Sequence, residues 1–136
     1  MRVFLDTNVL VSAFATRGLC ADLFRHVLTE HELIVGEVVL VELKRILKTK
    51  FKLPEKTIAE IDSFLREYEV IPKPQSPSEI PIRDPDDRWV LASAIIGNSD
   101  LLVSGDRDFL DFEDEVPIPI VDPRGYWDRF RKNPPE

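Results

Sequence analysis

The sequence has few of the residues on which disulfide cross-linking and zinc binding depend. Its 136 residues include one cysteine, Cys20, and two histidines, His26 and His31. A lone cysteine cannot close a disulfide within the chain, and one thiol with two imidazoles does not make a structural zinc site. No apolar run approaches the ~20 residues of a membrane span, and Asp6 arrives too early for a signal peptide. We therefore expect a reduced cytoplasmic protein that does not enter a membrane.

Positive charge is also scarce. Lys and Arg number 18 against 25 Asp and Glu, which gives a net charge of −7. This balance argues against a uniformly basic surface that coats nucleic acid. It does not argue against a nuclease, because carboxylates that hold metal ions count as acids although the loaded site is locally positive. The length suits one compact unit, so we expect residues 1–136 to form a single domain.

Short β-branched and aromatic runs alternate with amphipathic helical patterns along the chain. Residues 2–5 and 32–35 have the pattern of buried parallel strands, and residues 20–30 have that of a helix between them. Five prolines in residues 72–85 exclude a regular helix or central strand there. The pattern further predicts helices at 38–48, 54–69, 85–97 and 124–131, and strands at 100–104 and 119–121, the last at an edge. This alternation is typical of an α/β protein, a three-layer α/β/α sandwich on a central parallel sheet.

Two acids directly follow predicted strands. Asp6 follows the first strand, and Asp106 follows the strand at 100–104 after a turn at Gly105. Ligands of open parallel sheets bind beyond the carboxyl ends of the strands, which is where both carboxylates should lie. The alternative is that each simply caps a helix or forms an Asx turn as the chain leaves the strand.

Two more acids lie on apolar faces of predicted helices. Glu42 is four residues after Val38 and four before Ile46, so it shares a helical row with apolar neighbours. Asp87 falls by helical rotation between Leu91 and Ala94. Glu42 could instead reach water at the edge of its helix, and Asp87 could serve at the third helical position as part of a cap formed by Asp84. Asp84 and Asp86 favour capping and dipole roles.

We therefore expect four carboxylates, from Asp6, Glu42, Asp87 and Asp106, to converge on one edge of the sheet, with Asp108 nearby. Such a group repels itself unless protons or divalent cations compensate the charge. Oxygen ligands alone select hard ions such as Mg²⁺ or Mn²⁺, which activate water and orient phosphodiesters. No Ser/His/Asp or Cys/His triad competes, since neither histidine follows a strand or a glycine turn.

Four segments, in order along the chain, resemble the motifs of the PIN domain family. They are residues 3–10 (VFLDTNVL), Glu42 on its helix, residues 84–87 (DPDD) and residues 102–110 (LVSGDRDFL). The resemblance spans essentially the whole chain and is greatest to stand-alone prokaryotic PIN proteins of the VapC toxin type. It implies a Mg²⁺- or Mn²⁺-dependent endoribonuclease that hydrolyses a phosphodiester with activated water, as the toxin of a toxin–antitoxin pair.

The resemblance also assigns roles to individual side chains. Asp6, Glu42, Asp87 and Asp106 become the catalytic and metal-binding acids, with Asp108 as an additional metal ligand. Thr7, Asn8 and Ser104 would orient those carboxylates through hydroxyl and amide groups. Ser104 stands where the family often has threonine, a departure that keeps the hydroxyl.

Basic residues are concentrated after Glu42. Five positive charges fall within nine residues, with Lys44, Arg45 and Lys48 on the predicted helix itself. They could contact substrate phosphates, or merely compensate the helix dipole on a solvated face. Aromatic residues at 126, 127 and 130 favour packing of the last helix over base stacking. The choice of RNA over DNA comes from the resemblance alone.

The resemblance further implies a homodimer and a small antitoxin partner. One rival function is a catalytically silent PIN-like binding module. Another is a haloacid-dehalogenase-like phosphatase, which also begins with a strand ending in Asp. That chemistry requires a second Asp two residues later as general acid, and Asn8 occupies the position here.

Overall fold

A computed structural model describes residues 1–131 of the chain. Within these residues, strands and helices follow one another in the alternating order expected of an α/β protein. They are β1 (Arg2–Leu5), α1 (Thr7–Ala15), α2 (Leu19–Glu30), β2 (Glu32–Gly36), α3 (Glu37–Thr49), α4 (Glu55–Leu65), β3 (Glu69–Ile71), α5 (Pro85–Ile96), β4 (Leu101–Val103), α6 (Arg107–Leu110), a 3₁₀ turn (Glu113–Glu115), β5 (Ile120–Val121) and α7 (Pro123–Arg131).

The five strands form one sheet in the order β3-β2-β1-β4-β5, and every pairing is parallel. Helices flank the sheet, so the predicted α/β/α sandwich with a central parallel sheet is confirmed. The chain starts at the centre of the sheet, extends to β3 on one side, and then returns to add β4 and β5 on the other. The strand order therefore reverses between β1 and β4, and ligands of such sheets bind beyond the carboxyl ends at this switch point.

The central strands are buried on both faces, as parallel strands covered by helices must be. Phe4 of β1 and Leu102 of β4 have no exposed surface. The end of β2 lies so close to β1 that a Cβ atom on Gly36 would be 2.9 Å from Cζ of Phe4. Gly36 thus permits the tight approach of these two strands where α3 begins.

One predicted helix boundary was wrong, and one helix between β1 and β2 was missed. The helix predicted at 54–69 ends at Leu65, and residues 69–71 form the edge strand β3, paired with β2. Tyr68 continued the apolar spacing of the helix, but pairing along β2 decides the conformation of the next residues. Helix α1 was not predicted, so two helices rather than one connect β1 to β2.

Other predictions on the periphery are confirmed. Residues 72–84 contain no helix or strand. The predicted last helix packs through Tyr126, which is fully buried, with its hydroxyl oxygen 2.6 Å from Nδ1 of His26. His31 ends α2. None of the helices in residues 1–131 has the length and apolar character that crossing a membrane requires.

Candidate metal centre

The parallel pairing of β1 with β4 brings Asp6 beside Ser104. Leu5 is aligned with Val103, and the next backbone N–H, that of Asp6, donates to the carbonyl of Val103 at 3.0 Å. Asp6 then caps α1 by accepting a hydrogen bond from the backbone N–H of Thr7. Asp106 caps α6 in the same way through the backbone N–H of Asp108. Both acids therefore cap helices, as the alternative interpretation proposed, and they also lie at the carboxyl edge of the sheet.

Ser104 connects the two acids. Its Oγ donates to Oδ2 of Asp6 at 2.7 Å and accepts from the backbone N–H of Asp106 at 3.0 Å. Asn8 acts on the loop instead of on a carboxylate, since its Oδ1 accepts from the backbone N–H of Gly105 at 3.2 Å. Both contacts fix the loop after β4 against the start of α1.

Helix α5 supplies the third acid. Asp84 caps the helix by accepting from the backbone N–H of Asp86, and Pro85 occupies the first helical turn, as predicted. The predicted rotation of the two following acids is also observed, because Asp86 is exposed whereas Asp87 is only 8% exposed. Oδ2 of Asp87 is buried with no hydrogen-bond partner among the described residues. That unpaired oxygen is costly unless a proton or a cation reaches it.

Three carboxylates meet at this edge. One oxygen from each of Asp87, Asp106 and Asp108 lies within 4.8 Å of the others. Asp108, predicted only as an additional contributor, is thus placed within the group itself. The signal in the sequence was the two-residue spacing to Asp106, which lets one acid cap the short helix while the other sits in its first turn.

The electrostatics of the cluster favour an added positive charge. Burial raises the pKa of Asp6 to about 6, and the carboxylates of Glu42 and Asp106 contribute to the increase, against the opposing hydrogen bonds from Ser104 and Thr7. Burial also raises the pKa of Asp87, with further increases from Asp6 and Asp106. The ion pairs formed among residues 1–131 involve none of these acids. Hydrogen bonds and the more distant Arg45 therefore offset the repulsion only in part.

Glu42 lies at the border of the cluster. It is half-buried on α3, and burial raises its pKa, an effect that the nearby Thr7 hydroxyl opposes. Oγ1 of Thr7 is itself buried and makes no hydrogen bond of normal geometry with a described residue. The Glu42 carboxylate raises the pKa of the buried Asp6, and the exposed Asp86 in turn raises the pKa of Glu42. It thus links the acidic edge to the neighbouring surface.

The donor set fits a hard divalent cation. All nearby ligands are carboxylate oxygens, three of them converge, and one buried oxygen has no partner. Mg²⁺ and Mn²⁺ prefer such ligands, whereas Zn²⁺ sites generally include imidazole or thiolate. His26 and His31 pack instead against aromatic side chains of α7.

The predicted phosphate-binding residues are partly engaged within the protein. Nζ of Lys44 is 3.4 Å from Asp62, and Nζ of Lys48 is 3.6 Å from Glu55, so both lysines bridge α3 to α4. Arg45 is exposed and forms no ion pair within residues 1–131. The sequence could not distinguish these cases, because the acidic partners lie on a separate helix whose packing the charge pattern does not specify.

A groove that the sequence did not indicate adjoins the acidic edge. It lies between α3 and α5 and has a volume of about 340 Å³. Its lining consists of Glu37, Val38, Val41, Glu42, Arg45, Lys73, Asp86, Trp89 and Val90. Trp89, three residues after Asp86 on the same helical face, was the available signal.

Comparison with known proteins agrees with this architecture. The family model described as PIN domain matches residues 2–108. The crystal structure of VapBC2 from Rickettsia felis, bound to a DNA fragment from its promoter, has a similar chain with a TM-score of 0.64 and 19% identity. FitAcB from Neisseria gonorrhoeae gives a TM-score of 0.59 at 14% identity. Each match covers 90% of this chain and 98% of the other. No curated protein sequence matches.

Proposed function

Because this chain belongs to the PIN domain family, we propose that it is a metal-dependent endoribonuclease. The observation that carries the proposal is the convergence of three carboxylates at the switch point of a parallel sheet, with Oδ2 of Asp87 buried and unpaired. Helix capping accounts for Asp6 and Asp106, but it does not account for the buried, unpaired oxygen of Asp87. The residues proposed to hold the metal are Asp6, Glu42, Asp87, Asp106 and Asp108.

Bound Mg²⁺ or Mn²⁺ would supply an activated water and charge neutralisation for phosphodiester hydrolysis. The contribution of the chain is to keep the ligands in place before the metal arrives. Ser104 holds Asp6, and the backbone N–H of Asp108 holds Oδ1 of Asp106. Two carboxylates are thus oriented by hydrogen bonds within the protein, which reduces the reorganisation that metal binding requires. Among the predicted phosphate-binding residues, Arg45 is the one not already paired with an acid of α4.

We further propose that the protein is the toxin of a toxin–antitoxin pair, acting on RNA in the cytoplasm as a homodimer with a cognate antitoxin, and that residues 1–136 form one domain. The similarity in fold to the VapBC2 and FitAcB chains supports this assignment, as does the motif resemblance to VapC-type toxins. The phosphatase alternative has no support from the family match. In addition, Asn8 is committed to the backbone of Gly105.

The test is cleavage of a fluorescently labelled single-stranded RNA by the purified protein with Mg²⁺, with Mn²⁺ and with EDTA. We expect cleavage with either metal, none with EDTA, and a loss of at least about 10³-fold in the Asp106→Asn variant. Asp114→Asn is the matched control, since it removes an exposed carboxylate outside the cluster and should cleave like the parent. Metal binding without cleavage of any RNA would favour the silent binding module.

A further inference from the structure

We propose that the groove between α3 and α5 binds an unpaired nucleobase of the RNA strand, which stacks on Trp89, and that this contact makes the enzyme selective for single-stranded substrates. The inference rests on the proposed nuclease function and adds a specificity-determining residue to it. It begins from the position of the groove relative to the acids.

The groove and the acidic edge share a wall. Glu42 lines the groove and also acts on the carboxylate of Asp6. Trp89 follows Asp86 by three residues on α5, so the two side chains lie on one face of the helix, and both line the groove together with Glu42. A strand whose phosphate lies at the acids would therefore have a neighbouring nucleotide within reach of the indole.

The lining has the character of a base-binding surface. Val38, Val41 and Val90 form its apolar part, and Val41 is 60% exposed although it is a large aliphatic side chain. Trp89 is partly buried and thus held in position, with one part of its ring accessible. Every base has an apolar face, and stacking of bases on aromatic side chains is the common device for binding single strands.

The positive charges in the groove match a phosphate backbone. Nζ of Lys73 lies 4.7 Å from the centroid of the Trp89 ring, and Arg45 lines the same groove. Neither forms an ion pair among the described residues. Of the three acids that line the groove, Glu37 is paired with Arg66 at 2.9 Å, and Glu42 belongs to the proposed metal-binding set. Two cations thus remain available for the phosphates that flank a bound base.

The Lys73 ammonium group occupies part of the face of the Trp89 ring in the absence of substrate. A cation over an exposed indole is a weak contact, whereas stacking of a base desolvates a larger area. A base can therefore displace the ammonium group, which then becomes available for a phosphate. Bases inside a duplex are already stacked on one another and cannot make this contact, so a duplex should lose it.

The experiment uses Trp127→Phe, which leaves Trp89 as the sole tryptophan, in EDTA so that no cleavage occurs. Fluorescence is recorded during titration with a single-stranded RNA oligonucleotide and with the blunt duplex of the same sequence. We expect quenching by the single strand and little change with the duplex. Trp89→Ala in the parent chain should bind the single strand about five- to tenfold more weakly. Trp89→Phe should retain most of the affinity, and Phe64→Ala, which removes an exposed ring from α4, should bind normally.

Equal affinity of Trp89→Ala and the parent, or unchanged Trp89 fluorescence at saturating RNA, would overturn the inference; a groove that accepts a polypeptide instead would give this result. Cleavage by the parent with Mg²⁺ is measured in parallel. If it persists while Trp89→Ala binds normally, the groove assignment fails and the nuclease assignment stands. If the parent neither binds nor cleaves RNA, both fail. Circular dichroism of each variant confirms that the helices are retained.

Discussion

The hydroxyl of Ser104 donates a 2.7 Å hydrogen bond to Oδ2 of Asp6, from a position 98 residues away in the chain. The contact exists because β1 and β4 are adjacent and parallel, so the residues that follow them are neighbours. The same oxygen of Ser104 accepts from the backbone N–H of Asp106. One small side chain thereby fixes two acids of the proposed metal centre relative to each other.

Ser104→Ala should weaken metal binding without unfolding the protein. Loss of the hydroxyl leaves the Asp6 carboxylate held only by the backbone N–H of Thr7, and it leaves the backbone N–H of Asp106 without its partner. We expect metal affinity or cleavage to fall about 10- to 100-fold, as for other residues that orient metal ligands. Ser104→Thr keeps the hydroxyl and should retain most of the affinity. An alanine variant with the affinity of the parent would exclude a positioning role for Ser104.

Asp87→Asn should separate stability from function. The substitution removes a carboxyl whose ionisation is opposed by burial and by the neighbouring Asp6 and Asp106, so we expect the free energy of unfolding of the metal-free protein to rise by about 1–3 kcal/mol at neutral pH. Cleavage should be lost. Urea denaturation in EDTA measures the first effect, with Asp114→Asn as the control for loss of one negative charge. A destabilised Asp87→Asn protein would mean that the carboxylate is compensated within the chain.

Stability of the metal-free protein should fall as the pH rises through the range in which Asp6 ionises. The pKa of Asp6 is about 6 in the folded protein and about 3.9 in an unfolded chain. Below about pH 4 both states hold the proton, so folding incurs no penalty. Above that pH the unfolded chain ionises more readily, and the penalty grows until about pH 6, reaching on the order of 3 kcal/mol.

Asp6→Asn provides the reference for this pH effect. The difference in unfolding free energy between the variant and the parent should be small at pH 4.5 and should increase toward pH 7.5, with the variant the more stable. Parallel pH profiles of the two proteins would show that Asp6 ionises normally in the folded state.

Arg2 should matter for stability alone. At the opposite, amino end of the sheet, its guanidinium binds Glu69 at 2.7 Å and also the carbonyl of Gly97 at 2.7 Å. These groups are partly exposed, so we expect Arg2→Met to lower the free energy of unfolding by only about 1–2 kcal/mol. Metal affinity and cleavage should stay within about twofold of the parent. A larger loss of cleavage than of stability would connect this edge to the site.

Much of the architecture was predictable because local signals agreed with the global fold. Asp84 and Pro85 mark the start of α5. The buried apolar run at 101–103 lies between Asp100 and Gly105, which mark the limits of β4. The same rotation that places Asp87 inward leaves Asp86 exposed. These predictions required no knowledge of distant contacts.

The remaining features depend on contacts between distant elements. Residues 69–71 become a strand because β2 offers an unpaired edge, which the helical spacing through Tyr68 does not reveal. Lys44 and Lys48 face acids of α4 only after the two helices pack. The groove at Trp89 arises from the separation of α3 and α5, a tertiary property. Local sequence patterns therefore predicted the positions of the acids in the fold better than they predicted which side chains surround them.

Calorimetric titration of the metal-free protein with Mn²⁺ and Mg²⁺, beside Asp106→Asn, tests the central claim most directly. The account predicts saturable binding to the parent, at least about tenfold weaker binding to the variant, and normal binding to Asp114→Asn. Failure of the parent to bind either ion, with its fold verified by circular dichroism, would contradict the assignment of the converging carboxylates as a metal centre.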